Sequence, residues 1–165
     1  MPECPDFHYT PDEIANNLLK DIKFFKGDTI LEPCKGRGVQ GFYKHLTEAG
    51  HDVDWCEIDE GVDFFEYSPP YKYSKVITNP PYKDNDESEN IAWRFMLHCF
   101  DLCLDECWFL LNHQMMNGLT PIRLKQLAKI NFGMTHLRVL NIKQWYGRYY
   151  WVCFKKGGKS IIHFQ

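Results

Sequence analysis

The stretch from residue 28 to residue 57 most limits what this chain can fold into. A short apolar run, 28–32, leads into Glu32-Pro33-Cys34-Lys35-Gly36-Arg37-Gly38. A helical pattern follows over 38–49, stops at Gly50, and gives way to a second strand-like run over 52–57. Strand, tight glycine turn, helix and strand in succession make a parallel crossover unit, since a connection of that length returns the second strand in the same direction. The alternation continues. Helices are expected over 11–25, with Thr10 as N-cap and Pro11 at the first helical position, over 89–104, and over 121–132. Strands are expected over 75–78, 107–112 and 136–142, then a hairpin of 149–155 with 160–164 around Gly157-Gly158. The expected architecture is α/β, with a mostly parallel sheet, helices on both faces and an antiparallel C-terminal hairpin strand.

At 165 residues the chain suits one domain, 1–165, with a single core. No apolar run approaches the roughly 18–20 residues of a membrane span, and residues 1–9 lack the apolar core of a signal peptide, so a cytoplasmic location is expected, or a nuclear one in a eukaryote. The seven cysteines are an odd number and suggest no disulfide framework. Cys99, Cys103 and Cys107 recur every four residues in an apolar stretch. They read as core thiols on one helical face rather than as a metal site, for which pairs of C-x₂-C type are the usual signal. Charge is more telling. All 22 acidic residues precede Cys107, whereas residues 107–165 carry nine lysines and arginines and no acid. Such asymmetry points to a polyanionic partner for the second half.

Three constellations carry chemistry. Gly36 and Gly38, between a strand and a helix, let backbone approach a ligand beside a helix N-terminus, and Glu32 at the strand end is placed to hold a ligand cation. A tight strand–helix turn alone would account for the glycines equally well. Glu57 follows the second strand 19 residues past Gly38, where an acid can accept from ribose hydroxyls. Asp63 can accept from an adenine amino group while the adjoining Phe64 stacks. The decisive signal is Thr78-Asn79-Pro80-Pro81-Tyr82 after an apolar strand. The Asn79 side-chain oxygen and the Pro80 carbonyl present two acceptors to one planar NH₂ group, Pro81 stiffens the turn, and Tyr82 offers a ring for stacking.

With these motifs the chain resembles the class I amino-methyltransferases, specifically the N6-adenine DNA methyltransferases, over most of its length. Tyr9-Thr10-Pro11 resembles the family's N-terminal cofactor motif, Glu32-Pro33-x-x-Gly36-x-Gly38 its glycine motif, Glu57 and Asp63-Phe64 its ribose and adenine contacts, and Asn79-Pro80-Pro81-Tyr82 its catalytic motif. The motif order is gamma-like. The resemblance implies a Rossmann-like fold, S-adenosyl-L-methionine as cofactor with Asn79 near it, no metal, and transfer of a methyl group to adenine N6 in DNA.

The chain departs from the family in three places. Lys35 and Arg37 stand where small or acidic residues are commoner. Only five residues separate Glu57 from Asp63, too few for the usual helix and strand, so the ribose role falls to Glu57 or to Asp59. No stretch is left over for a separate target-recognition domain, so specificity is expected to be weak, to come from loops, or to come from a partner subunit.

Trp145, Tyr146 and Arg148 place aromatics beside a cation in the basic half and are expected to bind substrate. The alternatives are an RNA adenine methyltransferase, a protein glutamine N5 methyltransferase (the glutamine amide is also a planar NH₂), and a catalytically silent nucleic-acid-binding relative.

Overall fold

The structure, a computed structural model, describes residues 9–37, 41–82 and 91–163. Four strands run parallel: β1 (Ile30–Glu32), β2 (Val53–Trp55), β3 (Tyr73–Thr78) and β4 (Cys103–Asn112). β6 (Tyr149–Lys156) is antiparallel to β4, and β5 (Phe132–Leu140) is antiparallel to β6. The order across the sheet is β2-β1-β3-β4-β6-β5. Helices α1 (Asp12–Leu19) and α2 (Gly41–Glu48) cover one face, where Ala15, Leu18, Phe42 and Leu46 pack with Ile30, Ile77, Trp108 and Trp151. Helix α3 (Ile91–Leu102) covers the other, where Phe95, Met96 and Phe100 meet Val76, Phe109 and Phe154. The later parts of β3 and β4, 76–77 and 107–111, are apolar without alternation because both of their faces are buried in this way. The α/β expectation, with a parallel sheet and one antiparallel margin, holds.

Several boundaries differ from the sequence expectation, each for a local reason. The helix expected over 11–25 is the shorter α1, and Pro11, not Thr10, is its N-cap residue, with no side-chain cap. The first residues of the helices expected over 38–49 and 89–104 lie outside the described residues. α3 ends at Leu102, so Cys103 and Cys107 belong to β4, and the three thiols share a core rather than a helical face. The helix expected over 121–132 ends early. Helix α5 (Pro121–Lys129) stops before Asn131, which takes a left-handed φ of 65°, and the next strand begins at Phe132.

The hairpin is β5–β6, not 149–155 with 160–164. The Gly157 N–H donates to the Asn131 carbonyl at 2.7 Å, and the Ile161 N–H to the Met134 carbonyl at 2.8 Å, so the chain folds back over the start of β5. Only glycine fits at 133, because the Gly158 carbonyl oxygen lies 2.2 Å from where a Cβ would stand. Sequence reading also missed the short helix α4 (His113–Asn117), which the Asn112 side chain caps by accepting from the Met115 N–H at 2.9 Å.

The two unequally charged halves of the chain neutralise each other in part. Lys75 is fully buried, 3.3 Å from Glu106 and 3.5 Å from Asp28. Glu106 also accepts from Lys155 at 2.9 Å and from the Trp108 indole at 3.0 Å, and these donors hold its carboxyl below the usual range against the pull of burial. Arg138 pairs with Asp21 at 3.2 Å and donates to Asn17 at 2.7 Å. Two of the nine cations of the second half thus answer acids of the first. Removing one partner of such a buried charge cluster costs about 3–5 kcal/mol.

Candidate active site

In an open parallel sheet, ligands bind where the strand order reverses, because the connections leaving two neighbouring strands part there and leave a crevice at the carboxyl ends. Here the reversal lies between β1 and β3. The connection after β1 goes to β2 on one side, and the one after β3 goes to β4 on the other. Glu32 ends β1 and Asn79 follows β3 directly, so the topology brings the glycine loop and the Asn-Pro-Pro-Tyr turn to one edge.

The glycine loop is stitched down. The Lys35 N–H donates to the Cys56 carbonyl, and the Cys56 N–H to the Glu32 carbonyl, both at 3.0 Å. The Gly36 N–H donates to Glu57 Oε2 at 2.7 Å, while Glu57 Oε1 accepts from the Asp59 N–H at 3.3 Å. Gly36 has φ +82°, and a Cβ there would stand 3.0 Å from the Tyr9 ring, so the position demands glycine on both counts. Gly38 lies outside the described residues. Pro33 is buried within the loop. Burial pushes the Cys34 thiol up to about 12, which keeps it protonated and unsuited to nucleophilic attack.

Glu32 is the most informative group. It is 2% exposed, and its Oε2 has no hydrogen-bond partner in the structure. Burial drives its carboxyl well above the usual range, more than the Tyr43 backbone N–H and the Lys35 charge draw it back. A buried carboxylate with an empty acceptor is costly unless a donor or cation completes it.

At the neighbouring strand end, Asn79 Nδ2 donates to Thr10 Oγ1 at 3.2 Å. Thr10 therefore serves the site across the chain rather than capping α1. The Tyr82 hydroxyl donates to Asn79 Oδ1 and lies 3.3 Å from the Leu110 carbonyl. Burial holds the Tyr82 phenol far above its usual range, so it is a donor and not a base. Thr78, just before, is fully buried with an unpartnered hydroxyl.

The structure thus joins Tyr9 to Gly36, Gly36 to Glu57, and Thr10 to Asn79 to Tyr82. It does not draw Asp63 and Phe64 into this network. The Asp63 side chain caps the turn Phe64–Glu66 by accepting from the Phe65 N–H at 2.9 Å, and the Phe64 ring is buried with centroids 4.5 Å from Phe95 and from His98. Asp59 is engaged by Arg37 at 2.7 Å.

Because Tyr149 pairs with Asn112 at the carboxyl end of β4, the loop from 141 to 148 lies at the same edge as Asn79. Trp145 packs on Tyr149 at 4.8 Å, and Tyr149 faces Tyr82 at 6.5 Å. Tyr146 is 96% exposed, and Arg148 and Lys143 are exposed as well. Lys125 and Lys129 sit on α5, which leads toward the start of β5 at the opposite edge. Arg123 is turned inward, donating to the Gly118 carbonyl at 2.8 Å and lying over the Trp93 ring. No described helix is long and apolar enough to cross a membrane.

No protein-family model and no curated protein matches this sequence. Solved structures do match. A methyltransferase from Pyrococcus furiosus superposes with a TM-score of 0.59 at 12% identity, covering 90% of this chain and 84% of that one. Magnesium protoporphyrin IX methyltransferase from Synechocystis PCC 6803, solved with bound S-adenosylmethionine, gives 0.62 at 14% identity over 88% of this chain and 77% of that one. TrmK of M. capricolum, in complex with S-adenosyl-homocysteine, gives 0.57 at 10% identity over 96% and 73%. The fold is the Rossmann-like fold of these methyltransferases. At such identities the likeness concerns the path of the backbone, and residue roles rest on the site itself.

Proposed function

We propose that this chain is an S-adenosylmethionine-dependent methyltransferase acting on the N6 amino group of adenine in DNA. The observation that carries the reading is the placement of Asn79, at the strand end beside the glycine loop, with its side-chain amide oriented from both ends by Thr10 and Tyr82.

The cofactor fits the residues present. Glu32 has a buried, unpartnered oxygen suited to a cationic ligand, and S-adenosylmethionine carries an ammonium and a sulfonium. Gly36 gives the loop its left-handed bend beside the Tyr9 ring, and Glu57 lies just past β2, where a ribose is expected. Tyr9, Thr10, Pro33, Gly38 and Asn79 complete the proposed set, while Asp63 and Phe64, expected at the adenine, cap a turn and pack in the core instead. When bound, the cofactor supplies an electrophilic methyl group.

The chain's own residues do the rest. An exocyclic amine on adenine is a weak nucleophile because its lone pair is delocalised into the ring. Asn79 Oδ1 and the Pro80 carbonyl accept its two N–H bonds and favour the tetrahedral nitrogen that reacts. Fixed acceptors at the reacting group act through positioning and electrostatics. The substrate amine takes the place that the Tyr82 hydroxyl holds on Asn79 Oδ1, and the displaced Tyr82 presents its ring to the base. A base in a duplex must first leave the stack. Trp145, Tyr146 and Arg148 are placed at that edge to hold it, with Lys143 and Arg148 toward the phosphates.

The test is incubation with S-adenosylmethionine and, separately, DNA, RNA and protein, with mass spectrometry of each product. Methylated adenine in DNA supports the reading. Methylated adenine confined to RNA, or methylated glutamine in protein, replaces the substrate. Cofactor binding absent altogether, measured by calorimetry, favours a silent nucleic-acid-binding relative.

A further inference from the structure

Lys35 is unusual in a glycine loop, and so is its burial. Its ammonium donates to both oxygens of Glu60, at 2.8 Å and 3.0 Å, and lies 4.2 Å from the Trp55 ring centroid and 5.4 Å from that of Tyr43. Glu60 closes the short turn Ile58–Glu60, whose residues take the place of a longer helix-and-strand connection. That turn is itself tied to Glu57. The Glu60 and Val62 N–H groups both donate to the Glu57 carbonyl at 3.0 Å, and Glu57 Oε2 holds the Gly36 N–H. Lys35 and Gly36 are adjacent, so a cation and an amide one residue apart grip opposite ends of the same turn. A short turn cannot hold the glycine loop by packing, having no helix to pack; a charge-assisted pair roofed by two aromatic rings can.

We propose that Lys35 and Glu60 are positioning residues that hold the Gly36 backbone in its cofactor-binding shape, in place of the connection this chain lacks. The inference rests on the proposed function. Exposed Arg37 repeats the pairing with Asp59, but it lies outside the aromatic roof and does not carry the role.

The test uses the full chain. Lys35→Met keeps the aliphatic stem against Trp55 and Tyr43 while removing the charge. Glu60→Gln, at a partly exposed side chain, leaves the core intact. Lys35→Arg keeps the pair. Amide hydrogen exchange at Gly36 without ligand and calorimetry with S-adenosylmethionine are measured for each, with turnover at saturating cofactor.

The expected result is faster Gly36 exchange and about tenfold weaker cofactor binding in Lys35→Met and in Glu60→Gln, the scale of one charge-assisted contact. Turnover at saturation changes by less than about twofold, and Lys35→Arg restores most of the affinity. Wild-type exchange and affinity in both variants overturn the proposal while leaving the proposed function standing. Equal losses of affinity and of saturated turnover also overturn it, because they describe a merely unstable protein. A wild-type chain that binds no S-adenosylmethionine removes the proposed function and this role together.

Discussion

Two loops meet at the carboxyl edge of the sheet, and they are built differently. The loop from Glu32 to Arg37 is tied by backbone bonds to Cys56, by Glu57 and by Glu60, and its Lys35 is buried. The loop from 141 to 148 leaves Tyr146 almost wholly exposed and offers Lys143 and Arg148 to solvent. A ligand of one shape is met best by a surface already formed, since little ordering is then required on binding. A partner of varied sequence is met by exposed cations and flat rings, which tolerate any base. The difference supports the proposal that the first loop meets an invariant cofactor and the second a nucleic acid.

The largest break in this comparison is expected at Gly36. Gly36→Val places a branched side chain at φ +82° and against the Tyr9 ring, and is expected to abolish S-adenosylmethionine binding. Unchanged calorimetric affinity in a folded variant would show that the ligand does not use this loop.

Asn79→Ala comes next. It is expected to lower turnover by about 10²-fold or more, the scale for one preorganised polar contact, while cofactor affinity falls much less. Parallel loss of both would place Asn79 in the cofactor site alone.

Glu32→Gln sharpens the cofactor side. Losing a charged acceptor is expected to weaken binding by roughly 10- to 100-fold. Its effect on the free protein has the opposite sign. Burial raises the Glu32 carboxyl above its ordinary value of 4.5 in the folded chain, so the folded state binds more protons than the unfolded one between those two values. The stability contributed by this group is therefore present at low pH and lost as pH rises through the folded value. The melting temperature of Glu32→Gln, relative to wild type, should climb as pH rises above 4.5, the ordinary value of the carboxyl. A constant difference would mean that Glu32 already has a donor in the free protein.

Tyr82 and Arg148 test the polymer side. Tyr82→Ala should cost base capture about 1–3 kcal/mol, the worth of one stacked base, and Tyr82→Phe much less. Equal losses would assign the role to the hydroxyl on Asn79 instead of the ring. The smallest effect is that of Arg148→Ala and Lys143→Ala, each lowering the log–log salt slope of DNA binding by about 0.7–0.9 units. Lys129→Ala, at the end of α5 that leads away from the site, should leave the slope nearly unchanged.

The same contrast explains what the sequence disclosed. The parallel unit was legible because apolar runs, glycine stops and acidic strand ends are local signals, and so was the Asn79 turn. The pairings of Lys35 with Glu60, of Thr10 with Asn79 and of Arg138 with Asp21 were not, since they join residues 25, 69 and 117 positions apart and depend on strand order. The hairpin was misplaced because Gly157-Gly158 resembles a turn in isolation. Only the close approach of Gly158 to Gly133 reveals its use. The acid-free half pointed to a polyanionic partner, but topology runs α5 away from the site toward the start of β5 and turns Arg138 and Lys155 onto acids.

The central claim is methyl transfer to an adenine amine at Asn79. It is tested most directly by incubating single-stranded, adenine-containing DNA with the chain and S-adenosylmethionine bearing an isotopically labelled methyl group, then digesting the DNA and weighing its nucleosides by mass spectrometry. The account predicts labelled N6-methyladenine with the wild-type chain and at least about 10²-fold less with Asn79→Ala. Unlabelled adenine throughout, from a chain that binds the cofactor, would contradict it.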